Sequence, residues 1–152
     1  MDHRIAALNA GYARCIDDDR LEEWPGFFLE HCLYKITTAQ NIAKGYEAGL
    51  IYADSRAMLQ DRVSALREAN IYERQRYRHI VGLPVVSEDN GVENSVETPF
   101  LVVRIMRDGR MDLFATGRYL DKVVEENKTL KFAQRIVVCD SSRFDTLLAI
   151  PL

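Results

Sequence analysis

The chain has 152 residues, 47% of them hydrophobic and 28% charged, with a formal net charge of −3. This is enough for one domain with its own core, and the acidic balance argues against a general nucleic-acid binder, which is ordinarily basic. Three widely spaced cysteines, Cys15, Cys32 and Cys139, fit a reduced compartment better than a disulfide framework. The start Met1-Asp2-His3-Arg4 leads into an amphipathic segment and not a signal-peptide block. No apolar run approaches the roughly 20 residues of a membrane helix. The expectation is a soluble cytoplasmic protein with a single domain over 1–152, bound to neither nucleic acid nor membrane.

Ile5, Leu8, Tyr12, Cys15 and Ile16 recur at helical spacing and predict a first helix ending near Asp17-Asp18-Asp19. Leu21 to Phe28 reads as a short helix made irregular by Pro25, with Trp24, Phe27 and Phe28 as core anchors. His31 to Thr37 reads as a strand. Thr38 to Gly49 has no clear period and contains two glycines, so it reads as a connector. Ser55 to Ala69 is the clearest helix. Met58, Leu59, Val63, Leu66 and Ala69 line one face, and Asp54 or Ser55 can cap it.

From Arg76 the period changes to two. Arg76–Val86, Phe100–Met106, Met111–Val124 and Leu130–Cys139 read as strands. Asp89-Asn90-Gly91, Asp108-Gly109 and Glu126-Asn127-Lys128 are turn signals between them. The last three strands predict an antiparallel meander, and Ser87 to Glu97 reads as the most polar loop. Helices first and long strands later point to an α+β fold.

Strand residues alternate between two faces. Tyr77, His79, Val81, Leu83 and Val85, then Leu101, Val103 and Ile105, then Leu130, Phe132, Ile136 and Val138 are expected on the helix-covered face. The opposite sets pair Arg78 with Ile80, Arg104 with Phe100, Val102 and Met106, Arg118 with Phe114 and Leu120, and Arg135 with Val137. One arginine per strand among large apolar residues is the composition of an interface. The alternative is a solvated face whose arginine stems lie over apolar neighbours. Thr146 to Leu152 carries no charged side chain. Leaving Leu147, Leu148, Ile150 and Leu152 in water would forgo roughly 1.5–3 kcal/mol each, so this segment is expected to dock on the chain's own sheet or on another subunit. The interface candidates are Arg78, Arg104, Phe114, Arg118, Arg135, Val137, Leu148, Ile150 and Leu152.

The sequence holds no GxGxxG, Walker, HExxH or GxSxG motif and no CxxC pair. His31 and His79 have nothing in their spacing that favours an iron site, and no close Cys/His pairs suit Rieske ligation. No catalytic, cofactor-binding or metal residue is assigned. His79 lies on an apolar strand set. In a cavity between sheet and helices it could exchange protons with Tyr34 or Asp54, whereas the simpler reading is a buried histidine bonded to a backbone carbonyl. Asp17-Asp18-Asp19 lacks EF-hand spacing and reads as a solvated linker, with Asp19 capping the next helix. Arg74, Arg76 and Arg78 fall on one side of a strand and read as protein contacts.

Several stretches together resemble the small, or beta, subunits of the aromatic-ring-hydroxylating dioxygenases. They are Leu21-Glu22-Glu23-Trp24 with Phe28, Cys32-Leu33-Tyr34-Lys35, Asp54-Ser55-Arg56-Ala57-Met58-Leu59 with Asp61-Arg62, Arg76-Tyr77-Arg78-His79-Ile80, and Cys139-Asp140-Ser141-Ser142 through Asp145-Thr146-Leu147-Leu148. The run from Ser64 to Arg74 and on to Gly82-Leu83-Pro84 is most similar to small subunits acting with terephthalate, and benzoate and anthranilate enzymes are looser relatives. The resemblance implies a cone-like fold of the nuclear transport factor 2 and scytalone dehydratase type, with N-terminal helices on a strongly curved, mainly antiparallel sheet. It implies assembly with a large subunit and other small subunits, as α3β3 in many members. The large subunit would hold a [2Fe–2S] Rieske cluster and a mononuclear Fe(II), and a separate NADH-dependent reductase would supply electrons. The small subunit would be mainly structural and itself carry no cofactor.

Overall fold

The structure, a computed structural model, describes residues 2–45, 49–69, 75–141 and 150–152. Helix α1 (Asp2–Asp17) buries Ile5, Tyr12, Cys15 and Ile16, the face its period predicts. A 3-10 helix over Leu21–Phe27 follows, with Trp24 fully buried and Pro25 inside it. Asp19 does not cap this helix. It turns the chain at φ 59°, and its carboxylate accepts from Arg67 Nη1 at 3.0 Å.

Strand β1 (Phe28–Thr38) leads into the stretch expected to be an unstructured connector. That stretch contains helix α2 (Ala39–Ala43), capped by Thr38 Oγ1 accepting from the Asn41 N–H at 3.1 Å. The short strand β2 (Ile51–Ala53) then pairs antiparallel with β1. Helix α3 (Arg56–Ala69) buries Leu59, Val63 and Leu66, whereas Met58 and Ala69 are exposed, which narrows the expected apolar stripe. Its cap is Ser55, whose Oγ accepts from the Met58 N–H at 3.2 Å.

The remaining strands are β3 (Gln75–Val81), β4 (Val85–Asp89), β5 (Glu93–Met106), β6 (Met111–Glu126) and β7 (Thr129–Cys139). They form one sheet in the order β2-β1-β7-β6-β5-β3, with β4 on the other half of β5. β1 and β7 run parallel and every other pair is antiparallel, including the expected β5-β6-β7 meander. The single strand expected over Arg76–Val86 is two strands. The chain breaks at Gly82-Leu83-Pro84, where a Cβ on Gly82 would lie 2.7 Å from Pro99 Cγ, and Pro84 has no N–H to give a ladder. The polar stretch from Ser87 to Glu97 is mostly hairpin. Asn90 Oδ1 accepts from the N–H groups of Val92 and Glu93, and Gly91 takes φ 85°.

Helix α1 packs on β3 and β7, and α3 packs on β1, β2 and the 3-10 helix, so the helices share one face. Register shifts fall between Phe28 and Leu33, between Val102 and Val103, and between Lys122 and Val123. Bulges of this kind bend strands and raise their twist, which wraps the sheet around the helices as a cone. The sheet does not close, since β2 lies at one edge and β3 and β4 at the other.

The bulges and the pairing also decide which side chains face inward. Tyr77 is opposite Arg104 and His79 opposite Val102, so Phe100, Val102, Arg104 and Met106 join the buried face. Leu101, Val103 and Ile105, expected inside, are half-buried on the outer face, and Leu83 and Val85 are exposed. In β7 the shift after Phe132 puts Phe132 and Arg135 on one side although they are three residues apart. Arg135 and Val137 therefore point inward, and Ile136 and Val138 outward. Arg104, Arg135 and Val137, expected on a free second face, lie in the chain's own core.

Candidate functional site

The centre of the inner face is Arg135. Its Nε and Nη2 donate to Asp121 at 2.9 and 2.8 Å, and Nη2 also donates to Asn9 Oδ1 at 2.5 Å. Asn9 in turn donates to Thr98 Oγ1 at 3.2 Å. The guanidinium carbon lies 3.8 Å from the Tyr119 ring centroid, 4.0 Å from that of Phe132 and 4.4 Å from that of Tyr12. Burial raises the carboxyl of Asp121 from its ordinary value, against the pull of Arg135. Burial also opposes the charge of Arg135, but Asp121 beside it raises the pKa overall.

Beside this network Tyr12 and Tyr34 converge from α1 and β1. Their hydroxyls donate to the main-chain oxygen of Leu152 at 2.8 and 2.9 Å, and the Leu152 N–H donates to Tyr34 Oη at 3.2 Å. Ile150 and Leu152 are buried by this chain itself, so of the two docking places expected for them the structure supplies the chain's own core. Leu148 lies outside the described residues.

The outer face carries a different surface. Cross-strand pairing aligns Ile80 with Leu101, Arg78 with Val103 and Leu113, and Arg76 with Ile105 and Met111. Ile80, Leu113 and Met111 are 58%, 70% and 69% exposed, and the side chains of Arg76 and Arg78 project beside them. β3 is an edge strand. Soluble monomers rarely leave an apolar patch of this kind in water. Arg118 is exposed and donates to Glu97 at 2.8 Å. Phe114 is half-buried on the inner side, stacked on Tyr77 at 5.2 Å with Arg104 4.9 Å above its ring. Arg74 lies outside the described residues.

His79 is buried, and its partner is neither Tyr34 nor Asp54. Its Nδ1 is 2.7 Å from Asp17 Oδ1, and its backbone N–H donates to Asp17 Oδ2 at 2.9 Å. Asp17, read from sequence as part of a solvated linker, is thus a structural tie between α1 and β3. Tyr34 is held by Leu152, and Asp54 is exposed. Among the described residues no group of three or more His, Cys, Asp and Glu side chains could hold a metal ion. The three cysteines are buried and unpaired by disulfides. Among the described residues no helix is long and apolar enough to cross a membrane.

Comparison with known proteins places this geometry. A family model described as ring hydroxylating beta subunit matches residues 12–146. The chain is 52% identical over 149 residues to the terminal oxygenase component subunit beta 1 of terephthalate 1,2-dioxygenase from Comamonas sp, covering 98% of this chain and 97% of that one. The crystal structure of the beta subunit of a candidate aromatic-ring-hydroxylating dioxygenase from Novosphingobium aromaticivorans superimposes with a TM-score of 0.92 at 36% identity, covering 99% of this chain and 96% of that one. A candidate scytalone dehydratase from the same organism gives a TM-score of 0.72 at 18% identity over 97% of this chain and 89% of that one, a likeness of fold alone. The fold is the cone shared by nuclear transport factor 2 and scytalone dehydratase. The chain belongs to the ring hydroxylating beta subunit family and is a subunit of an aromatic-ring-hydroxylating dioxygenase.

Proposed function

We propose that this chain is the structural small subunit of a Rieske oxygenase that cis-dihydroxylates a carboxylated aromatic ring, with terephthalate as the substrate. The 52% identity to a terephthalate dioxygenase beta subunit carries the substrate assignment. The large subunit holds the [2Fe–2S] cluster and the mononuclear iron, which activate O2 at the ring. Both oxygen atoms enter the ring, and the two electrons come from NADH through a separate reductase. The residues of this chain take no part in that step. Their role is to present a rigid cone whose outer face docks on other subunits of an α3β3 assembly in the cytoplasm.

The observation that supports a docking role is the outer patch of Ile80, Leu101, Val103, Ile105, Met111 and Leu113 edged by Arg76 and Arg78. Aliphatic area flanked by arginine is what a partner with apolar and acidic groups covers. Arg118 stands as a further contact at its margin, whereas Phe114 faces the core. The reading is tested by co-expressing this chain with a dioxygenase large subunit, adding the reductase and NADH, and assaying terephthalate, benzoate and anthranilate separately. A cis-dihydrodiol dicarboxylate from terephthalate, lost when this chain is omitted, is the expected result. Undiminished activity without this chain would refute the structural role, and turnover of benzoate or anthranilate alone would refute the substrate.

A further inference from the structure

Where β3 begins, the end of the sheet holds an open cleft of about 380 Å³ lined by Gln75, Arg76, Ile105, Met106, Arg107 and Gly109. Backbone pairing fixes its walls. Gln75 and Arg76 lie opposite Met106 and Ile105 at the end of β5. The chain then turns into β6, with the Gly109 N–H donating to the Met106 carbonyl and the Met106 N–H to the Arg110 carbonyl, both at 2.9 Å. The positive charge of the cleft is unmatched. Among the described residues neither Arg76 nor Arg107 has a hydrogen-bond or ion-pair partner. The acids of this end of the sheet are engaged elsewhere. Asp112 accepts from Arg104 at 3.0 Å, and Asp108 accepts from the Arg110 N–H at 2.9 Å within its own turn. Arg78, on the same side of β3 as Arg76, by contrast approaches Asp17 at 4.0 Å.

We propose that this cleft receives the side-chain carboxylate of an aspartate or glutamate of the dioxygenase large subunit. The proposal rests on the docking role of the outer face and says where on that face the partner's charge falls. Two guanidinium groups beside Ile105 and Met106 suit a carboxylate on a short aliphatic stem, since the arginines donate to its oxygens and the apolar side chains cover its methylenes. The cleft is continuous with the outer patch, because Arg76 and Ile105 belong to both. A polypeptide lying over Ile80, Leu113 and Met111 therefore reaches it without a break. A free carboxylate gains little from two hydrated arginines in an open cleft. Once a partner covers the patch, water is excluded and the same attraction strengthens. An acid at one end of an aliphatic patch also fixes the register of docking, since a displaced partner would leave its carboxylate desolvated and unpaired.

The test uses the assembly formed on co-expression with the large subunit. Arg76 and Arg107 are both exposed, so Arg76→Ala with Arg107→Ala should leave the melting temperature of this chain unchanged. The large subunit should dissociate from that variant, on dilution followed by mass, at a concentration at least about tenfold higher than from the parent. Arg76→Lys with Arg107→Lys keeps the charge and supplies an amine. A water-soluble carbodiimide joins such an amine to a touching carboxylate as an amide, and itself leaves as the urea that carries the carboxylate oxygen. Peptide mass spectrometry should then find position 76 or 107 linked to an Asp or Glu of the large subunit, a link the parent cannot form. Unchanged dissociation of the Ala variant, links only to acids of this chain or of a second copy of it, or saturable binding of free terephthalate that the Ala variant loses would each overturn the proposal. Where Ile80→Asp with Leu113→Asp breaks the assembly and the Ala variant does not, the proposal falls and the docking reading stands. Where neither breaks it, both fall.

Discussion

Arg135 and Arg118 lie on neighbouring strands, and each holds an acid of an adjacent strand at 2.8 Å. The Arg135 side chain is 0% exposed and that of Arg118 46%. Arg135 has desolvated its charge against Asp121 and three aromatic rings, so it is tied to the fold. Arg118 keeps its water and is free to meet another surface. The two faces of the sheet therefore use the same residue type for opposite ends. Inside, the arginine fixes the fold. Outside, it stays hydrated and pairs with Glu97.

Experiments can break this contrast. Arg135→Met should cost the largest amount, about 3–5 kcal/mol, because it leaves Asp121 buried and unpaired. Replacing Asp121 with Leu in the same chain should recover much of the loss, and urea denaturation of both variants checks this. Leu152→Ala should cost about 2–5 kcal/mol, the range for truncating a fully buried Leu. A loss well below 1 kcal/mol would show that Ile150–Leu152 does not close this core.

The inner face should also respond to alkali. Burial pushes the Cys15 thiol up to about 11 and the Cys139 thiol up to about 12, from an ordinary value of 9.0. Well below pH 9 both states keep their protons and the stabilisation is complete. As pH rises from 9 towards 11 and 12 the unfolded thiols ionise first, so the native state loses stability through that window. Cys15→Ala and Cys139→Ala should each flatten the fall of the urea midpoint between pH 8 and 11.5, and an unchanged slope would contradict the assignment. The smallest effect belongs to Arg118→Ala. An exposed pair contributes about 0–1 kcal/mol, so its melting curve should nearly overlay that of the parent chain.

Much of the architecture was legible because local periods were clean. The first helix, the last three strands and their turns follow from the spacing of apolar residues and from Asn127 and Gly109 at positive φ. Parity along the strands is not legible in the same way. A bulge moves every later side chain to the other face, so strict alternation points Arg135 outward, whereas the shift after Phe132 puts the two on one side. Asn9 on the apolar stripe of α1 and Asp121 between Tyr119 and Val123 were signals that a charge lay inside, since each needs a buried partner. Asp17 was hidden in a run of three acids, and only tertiary packing separates it from Asp18 and Asp19. The meeting of Tyr12 and Tyr34 on Leu152 had no sequence signal, because it joins residues more than 100 positions apart.

The outer face of β3, β5 and β6 is the proposed place where this subunit meets its partners. The most direct test is the mass of the assembly formed on co-expression with the large subunit, measured for the parent chain and for Ile80→Asp with Leu113→Asp. Both substituted side chains are largely exposed, so the variant should fold with an unchanged melting temperature. The parent is expected to join a stable hetero-oligomer while the variant stays apart from the large subunit. A folded variant that assembles to the same mass and with the same yield would contradict it.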